Sequence, residues 1–139
     1  MIEKLLEELI EEHQQYNKQM KQFLKDLEDN FSLEKVEEII NFLEKDIEDH
    51  AKKEEDVLIP EVLKFDKDYD DEAIIFGHNT IREATQDVID TFEDFKKGKA
   101  TKEDILKFTK KAFNIVKDHF AEEENFLFPN IRKSEKEWL

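Results

Sequence analysis

His50-Ala51-Lys52-Lys53-Glu54-Glu55-Asp56-Val57-Leu58-Ile59-Pro60 aligns without a gap on His119-Phe120-Ala121-Glu122-Glu123-Glu124-Asn125-Phe126-Leu127-Phe128-Pro129. Both copies read H-x-x-x-E-E-x-x-L-x-P. A further histidine precedes each copy, His13 before the first and His78 before the second. The chain therefore reads as two helical hairpins, each with one lone His and one His/Glu pair. A pseudo-twofold bundle places such residues together at its middle.

Working outward, apolar residues recur at the i, i+3, i+4, i+7 spacing of a buried helical stripe. The first helix is expected from Ile2 to Glu28, with Leu5, Leu6, Leu9, Ile10, Met20, Phe23, Leu24 and Leu27 inward. Asp29-Asn30-Phe31 ends it, and Ser32 is a good N-cap for the second helix. The second carries Val36, Ile39, Ile40, Leu43, Ile47, Val57 and Leu58, and Pro60 is expected to kink or fray it before Phe65. A polar turn spans 66–71, with Asp70 or Asp71 capping a third helix that runs to about Lys97. Lys96-Lys97-Gly98 suits that helix's C-terminal end, and Thr101 with Asp104 reads as a capping box. The fourth helix carries Ile105, Leu106, Phe108, Ala112, Phe113, Ile115, Val116, Phe120, Phe126 and Leu127 and passes Pro129. The expected fold is all-α, an up-down-up-down four-helix bundle, with residues 1–139 forming one domain.

Composition agrees. Charged residues make up 42% and hydrophobic ones 38%, with only 2 Gly and 2 Pro, which favours long helices over sheet. A net charge of −15 repels phosphate backbones and anionic lipid, so neither nucleic acid nor membrane is an expected partner. The chain has no cysteine, which excludes disulfides and thiolate metal sites. Met1 runs straight into an amphipathic acidic stretch unlike a signal or transit peptide, and no apolar run spans a membrane. The expectation is a cytoplasmic monomer.

Each of the 4 histidines shares a helical face with apolar neighbours three, four or seven residues away: His13 with Leu6, Leu9 and Ile10, His50 with Leu43, Ile47 and Val57, His78 with Ile74, Ile75 and Ile81, His119 with Ala112, Ile115, Val116 and Phe126. A lone inward His is usually a satisfied core residue. One on every helix would need four separate buried partners. At about 1.5 Å per residue, His13 lies roughly 24 Å from the end where the first and second helices join, His50 and His119 roughly 26 Å and His78 roughly 30 Å. They share one layer, which packing does not require and a metal site does. At about 100° per residue, Glu54 lies about 40° round the helix from His50 and Glu55 about 140°. Glu54 should face inward and Glu55 outward, and likewise Glu123 inward and Glu124 outward. A buried Glu is expensive unless paired or ligating.

Four imidazoles and two carboxylates are too many ligands for one metal that also binds substrate. They suit two metals, each with two His, bridged by the carboxylates. Nitrogen and oxygen donors without thiolate suit iron, manganese or zinc, and zinc normally needs only four ligands. The E-x-x-H signature of ferritin-like di-iron bundles is absent.

The pattern of a lone His, H-x-x-x-E, a lone His and H-x-x-x-E on four helices resembles the hemerythrin-like (HHE cation-binding) family over essentially the whole chain. The resemblance implies two non-haem iron ions with an oxo or hydroxo bridge. By matching position, His13, His50, His78 and His119 would be terminal ligands, and Glu54 and Glu123 the bridges. Oxygen-carrying hemerythrins have another His four residues after the third-helix ligand, where this chain has Arg82. The set is thus more similar to bacterial iron-centre repair proteins and to HHE domains tied to nitric oxide, peroxide or iron handling. Those repair proteins often carry a cysteine-containing N-terminal segment that is not found here. The expected function is binding or sensing of O2, NO or peroxide. The alternatives are an oxidoreductase or iron donor in iron-centre repair, and a structural bundle with incidental metal. Phe120 and Phe23 are candidates to wall the pocket, Tyr16 is expected to be a half-buried neighbour of His13, and Arg82 to form a surface salt bridge.

Overall fold

The computed structural model describes residues 2–138. Four helices account for nearly all of them: α1 (Ile2–Asp29), α2 (33–63), α3 (Glu72–Lys96) and α4 (102–138). Joined by short links, they form an antiparallel up-down-up-down bundle, and no strand occurs among the described residues. No helix among these residues is long and apolar enough to cross a membrane.

Local chemistry sets the boundaries. The Ser32 hydroxyl accepts the Lys35 amide at 3.1 Å and starts α2. Asp70 accepts the Glu72 amide at 3.0 Å and starts α3. Gly98, at φ +74°, supplies the left-handed residue that ends α3, and Lys99 N–H turns back to the Asp94 carbonyl at 2.8 Å. Thr101 and Asp104 form the reciprocal capping box of α4, at 2.9 and 3.1 Å.

Two apolar clusters fill the bundle. One, with Leu27, Ile39, Phe92, Ile105 and Phe113, occupies the end beyond the histidines toward the α1–α2 link. The other, with Leu6, Leu9, Leu58, Val62, Phe128 and Ile131, fills the opposite end. The His/Glu layer lies between them, so both of its faces are dry.

Three departures from ordinary helix geometry shape that layer. Residues 42–47, 54–58 and 123–127 form wide turns in which hydrogen bonds reach back five residues. The amides of Ile59 and Phe128 thus bond to the carbonyls of Glu54 and Glu123. This corrects two expectations. Val57 and Phe126, read as inward, are 45% and 65% exposed, while Leu58 and Phe128 are fully buried. A wide turn holds one extra residue, so everything beyond it shifts by one position relative to a count of 100° per residue. Nor does Pro60 break α2, which continues to Leu63; α4 passes Pro129 as expected and runs to Trp138. Each stands one residue after the amide that closes the wide turn, where the ladder is already interrupted and a missing N–H costs little.

Candidate metal centre

All four histidines and the two inward glutamates meet in the middle layer. His13, Glu54 and Glu123 are completely inaccessible, and His50, His78 and His119 are at most 5% exposed. His13 and His50, with Glu54 and Glu123, form one set of donor atoms lying within 4.8 Å of one another, and His78 and His119 with the same two glutamates form another. Each carboxylate is split between the sets. Glu54 places Oε2 3.2 Å from His50 Nε2 and Oε1 2.7 Å from His78 Nε2. Glu123 places Oε1 3.0 Å from His13 Nε2 and Oε2 3.0 Å from His119 Nε2.

These donors fit a cation better than they fit each other. Glu54 Oε2, both oxygens of Glu123 and Nε2 of His119 are buried without a hydrogen-bond partner, although neighbours stand 3.0–3.2 Å away. Distance is met and direction is not, because the lone pairs converge on points between the side chains. Each unpartnered group would cost about 1–3 kcal/mol. His13 Nε2 and His50 Nε2 lie 3.1 Å apart, the separation of two nitrogens each about 2.1 Å from one ion at nearly a right angle.

Burial dominates the protonation of the metal-free chain. It holds His13 neutral down to about 3, with the charge of His50 adding to the effect, and His119 down to about 4. Burial opposes charge on His50 too, but the hydrogen bond to Glu12 and the Glu54 carboxylate 3.2 Å from Nε2 overcome it and lift that imidazole to about 9. Burial and the adjacent Glu54 charge push Glu123 well above the usual carboxylate range. Burial also opposes ionisation of Glu54, yet the closeness of Glu123, His50 and His78 holds it well below that range. A protonated His50 between Glu12, Glu54 and His13 thus supplies positive charge at the layer's centre.

The outer carboxylates were invisible to face-counting. Glu55 and Glu124 are not idle surface residues: Glu55 Oε2 accepts His78 Nδ1 at 2.6 Å, and Glu124 Oε2 accepts His13 Nδ1 at 2.8 Å. Glu12 accepts His50 Nδ1 at 2.6 Å and is itself held by Lys53 at 3.0 Å. Such bonds orient an imidazole and raise its basicity as a ligand. The signal lay in the E-E doublet of both copies, whose second Glu crosses to the lone His of the other hairpin.

Phe120 walls the site, stacked on His13 with centroids 4.0 Å apart and planes at 13°. Phe23 does not; it packs on Phe42 and Phe113 farther along the core. Tyr16, half-buried, presents its ring edge-on to His50 at 5.8 Å, and burial together with the Glu12 charge raises its phenol to about 12. Arg82 forms the expected ion pair, but a consequential one. It donates to Glu48 at 2.6 and 3.0 Å and to the Glu55 oxygen that also receives His78, at 3.0 Å.

A helical bundle whose dry middle layer holds two buried His/Glu donor sets is built as a cation-binding protein. The model of the hemerythrin HHE cation-binding domain matches residues 4–131, and the chain belongs to that family. No curated protein and no solved structure matches it significantly.

Proposed function

We propose that His13 and His50 hold one iron ion, His78 and His119 a second, and that Glu54 and Glu123 bridge them in a centre that binds or senses O2, NO or peroxide. The observation that carries this reading is the splitting of both carboxylates, one oxygen to each donor set. Bound iron would supply redox chemistry and open coordination positions, and zinc or manganese are the alternative occupants of the same donors. The chain's own residues do the rest. Phe120 and Phe128 exclude water beside His13, and the outer carboxylates fix the rings. A structural bundle with incidental metal is the weaker reading, because it leaves four converging buried atoms of the layer unpartnered: Glu54 Oε2, both Glu123 oxygens and His119 Nε2.

Metal analysis with an optical spectrum of the aerobic protein tests the proposal. About two irons per chain and the absorption of a bridged ferric pair are expected. Stoichiometric zinc without a visible chromophore would end the redox reading. Metal uptake should also expel protons. His50 is protonated below about 9 and must be neutral to ligate, so loading at pH 7 should release at least its proton. Calorimetry in buffers of different ionisation enthalpy measures this, and zero release would contradict a His50 that is both protonated in the metal-free chain and a ligand in the loaded one.

A second reading, an oxidoreductase or iron donor in iron-centre repair, is favoured by one feature: His119 Nδ1 has no hydrogen-bond partner, which weakens one terminal ligand. Mixing the diferrous protein with O2, NO or peroxide separates the two. A stable adduct supports binding, and turnover with product supports an enzyme.

A further inference from the structure

The pseudo-twofold that relates the two hairpins is broken at one position. Glu12 immediately precedes His13 and accepts the Nδ1–H of His50. The residue that immediately precedes His78 is Gly77, and the imidazole it faces is that of His119. The four outer acceptors should therefore be Glu124 for His13, Glu12 for His50, Glu55 for His78 and a side chain at 77 for His119. The fourth does not exist. The His119 ring occupies the space instead, and a Cβ at residue 77 would lie only 2.1 Å from Nδ1. That nitrogen is buried and has no hydrogen-bond partner.

The other outer carboxylate of this half is compromised as well. The Glu55 oxygen that accepts His78 also accepts Arg82. In the first half, Glu12 receives His50 on one oxygen and Lys53 on the other, and Glu124 accepts His13 alone among the ion pairs of the described residues. A carboxylate on Nδ1 strengthens Nε2 as a donor, and loss of such a partner typically lowers metal affinity about 10–100-fold. Resting on the two-ion reading above, we propose that Gly77 makes the His78/His119 position the exchangeable one: its divalent cation is released first, while the His13/His50 position keeps its ion.

The test uses the full chain loaded with two equivalents of cobalt(II) and challenged with excess EDTA. Release should be biphasic, with half of the metal leaving at least about tenfold faster. A crystal harvested after the fast phase should show anomalous density at His13/His50. A single release rate, or residual density at His78/His119, overturns the inference. If the chain takes up only one cobalt the two-ion reading fails by itself, and the location of that ion still decides here: His13/His50 supports the asymmetry and His78/His119 refutes it. Glu12→Gly recreates the glycine deficit in the first half and should speed the slow phase about 10–100-fold; an unchanged slow phase overturns the proposed cause. Gly77→Glu, the reverse exchange, requires the His119 ring to shift and should slow the fast phase. Histidine side-chain 15N spectra of the metal-free protein give a readout independent of loading. Hydrogen-bonded Nδ1 protons are expected for His13, His50 and His78 and not for His119, and a bonded His119 Nδ1 proton refutes the proposal.

Discussion

The His13/His50 half and the His78/His119 half offer the same donors, two imidazole nitrogens and one oxygen from each shared carboxylate. Their covers differ. His13 stacks on Phe120 at 4.0 Å and on Phe128 at 6.0 Å, and His50 meets Tyr16 edge to face. On the other side the two imidazoles meet at 5.0 Å, as His13 and His50 do at 4.9 Å, and His78 is covered by the ionic Glu55–Arg82–Glu48 chain. Beside it a crevice of about 200 Å³ opens between α2 and α3, with Ile47, Ala51, Ile81 and Arg82 around His78. The repeat copies what the donors require and leaves the surroundings free to diverge. Both halves carry outer carboxylates, but only the first stacks aromatic rings on its imidazoles, and only the second shares an outer carboxylate oxygen with an arginine.

The largest effect comes from striking what the halves share. Glu123→Ala removes one oxygen from each donor set, so both positions should weaken by more than the roughly 10–100-fold typical of an outer carboxylate. Competition titration with a chromophoric chelator measures this, and an unaffected second ion would disprove the sharing. Next comes the cover of the first half alone. Phe120→Ala deletes a ring only 2% exposed and should cost the metal-free protein about 3–5 kcal/mol in urea unfolding. A loss under about 1 kcal/mol would mean that the ring is not packed as a core residue.

Much of this was legible from residues alone. Four helices, their caps and the six converging side chains follow from periodicity and from the H-x-x-x-E-E repeat, because His50 to Glu54 and His119 to Glu123 cross ordinary helix up to the ligand itself. Legibility ends at the wide turns. Beyond Glu54 and Glu123 the count of 100° per residue fails, and Val57 and Phe126 emerge into solvent while Leu58 and Phe128 turn in. The same error in both copies shows that the turn is encoded with the repeat, yet no residue type marks it before the structure is seen. Glu55 and Glu124 were misjudged for a different reason. A glutamate pointing sideways from its helix still reaches an imidazole on the next one, and a single-helix projection has no neighbours. Gly77 has meaning only against Glu12, whose bond to His50 crosses between helices and leaves no mark in either helix's own periodicity.

The smallest effect tests whether the ionic cover matters as a cover. The Arg82 side chain is 36% exposed, so its pairs with Glu48 and Glu55 are surface-type interactions worth about 0–1 kcal/mol. Arg82→Ala should therefore shift the denaturant midpoint only slightly, by far less than Phe120→Ala. Removing the guanidinium also returns the full Glu55 oxygen to His78, so the second position should hold its ion at least as tightly as before. What should change is access. With the side chain gone, the wall beside His78 is reduced to Ile47, Ala51 and Ile81, and on the proposed reading NO should reach the loaded protein faster, with Kd nearly constant because entry and exit accelerate together. Stopped-flow association and dissociation rates decide it. A change in Kd carried by dissociation alone would make Arg82 a contact of the bound ligand instead of a cover, and unchanged rates would place the route elsewhere, leaving the contrast between the two covers without kinetic consequence.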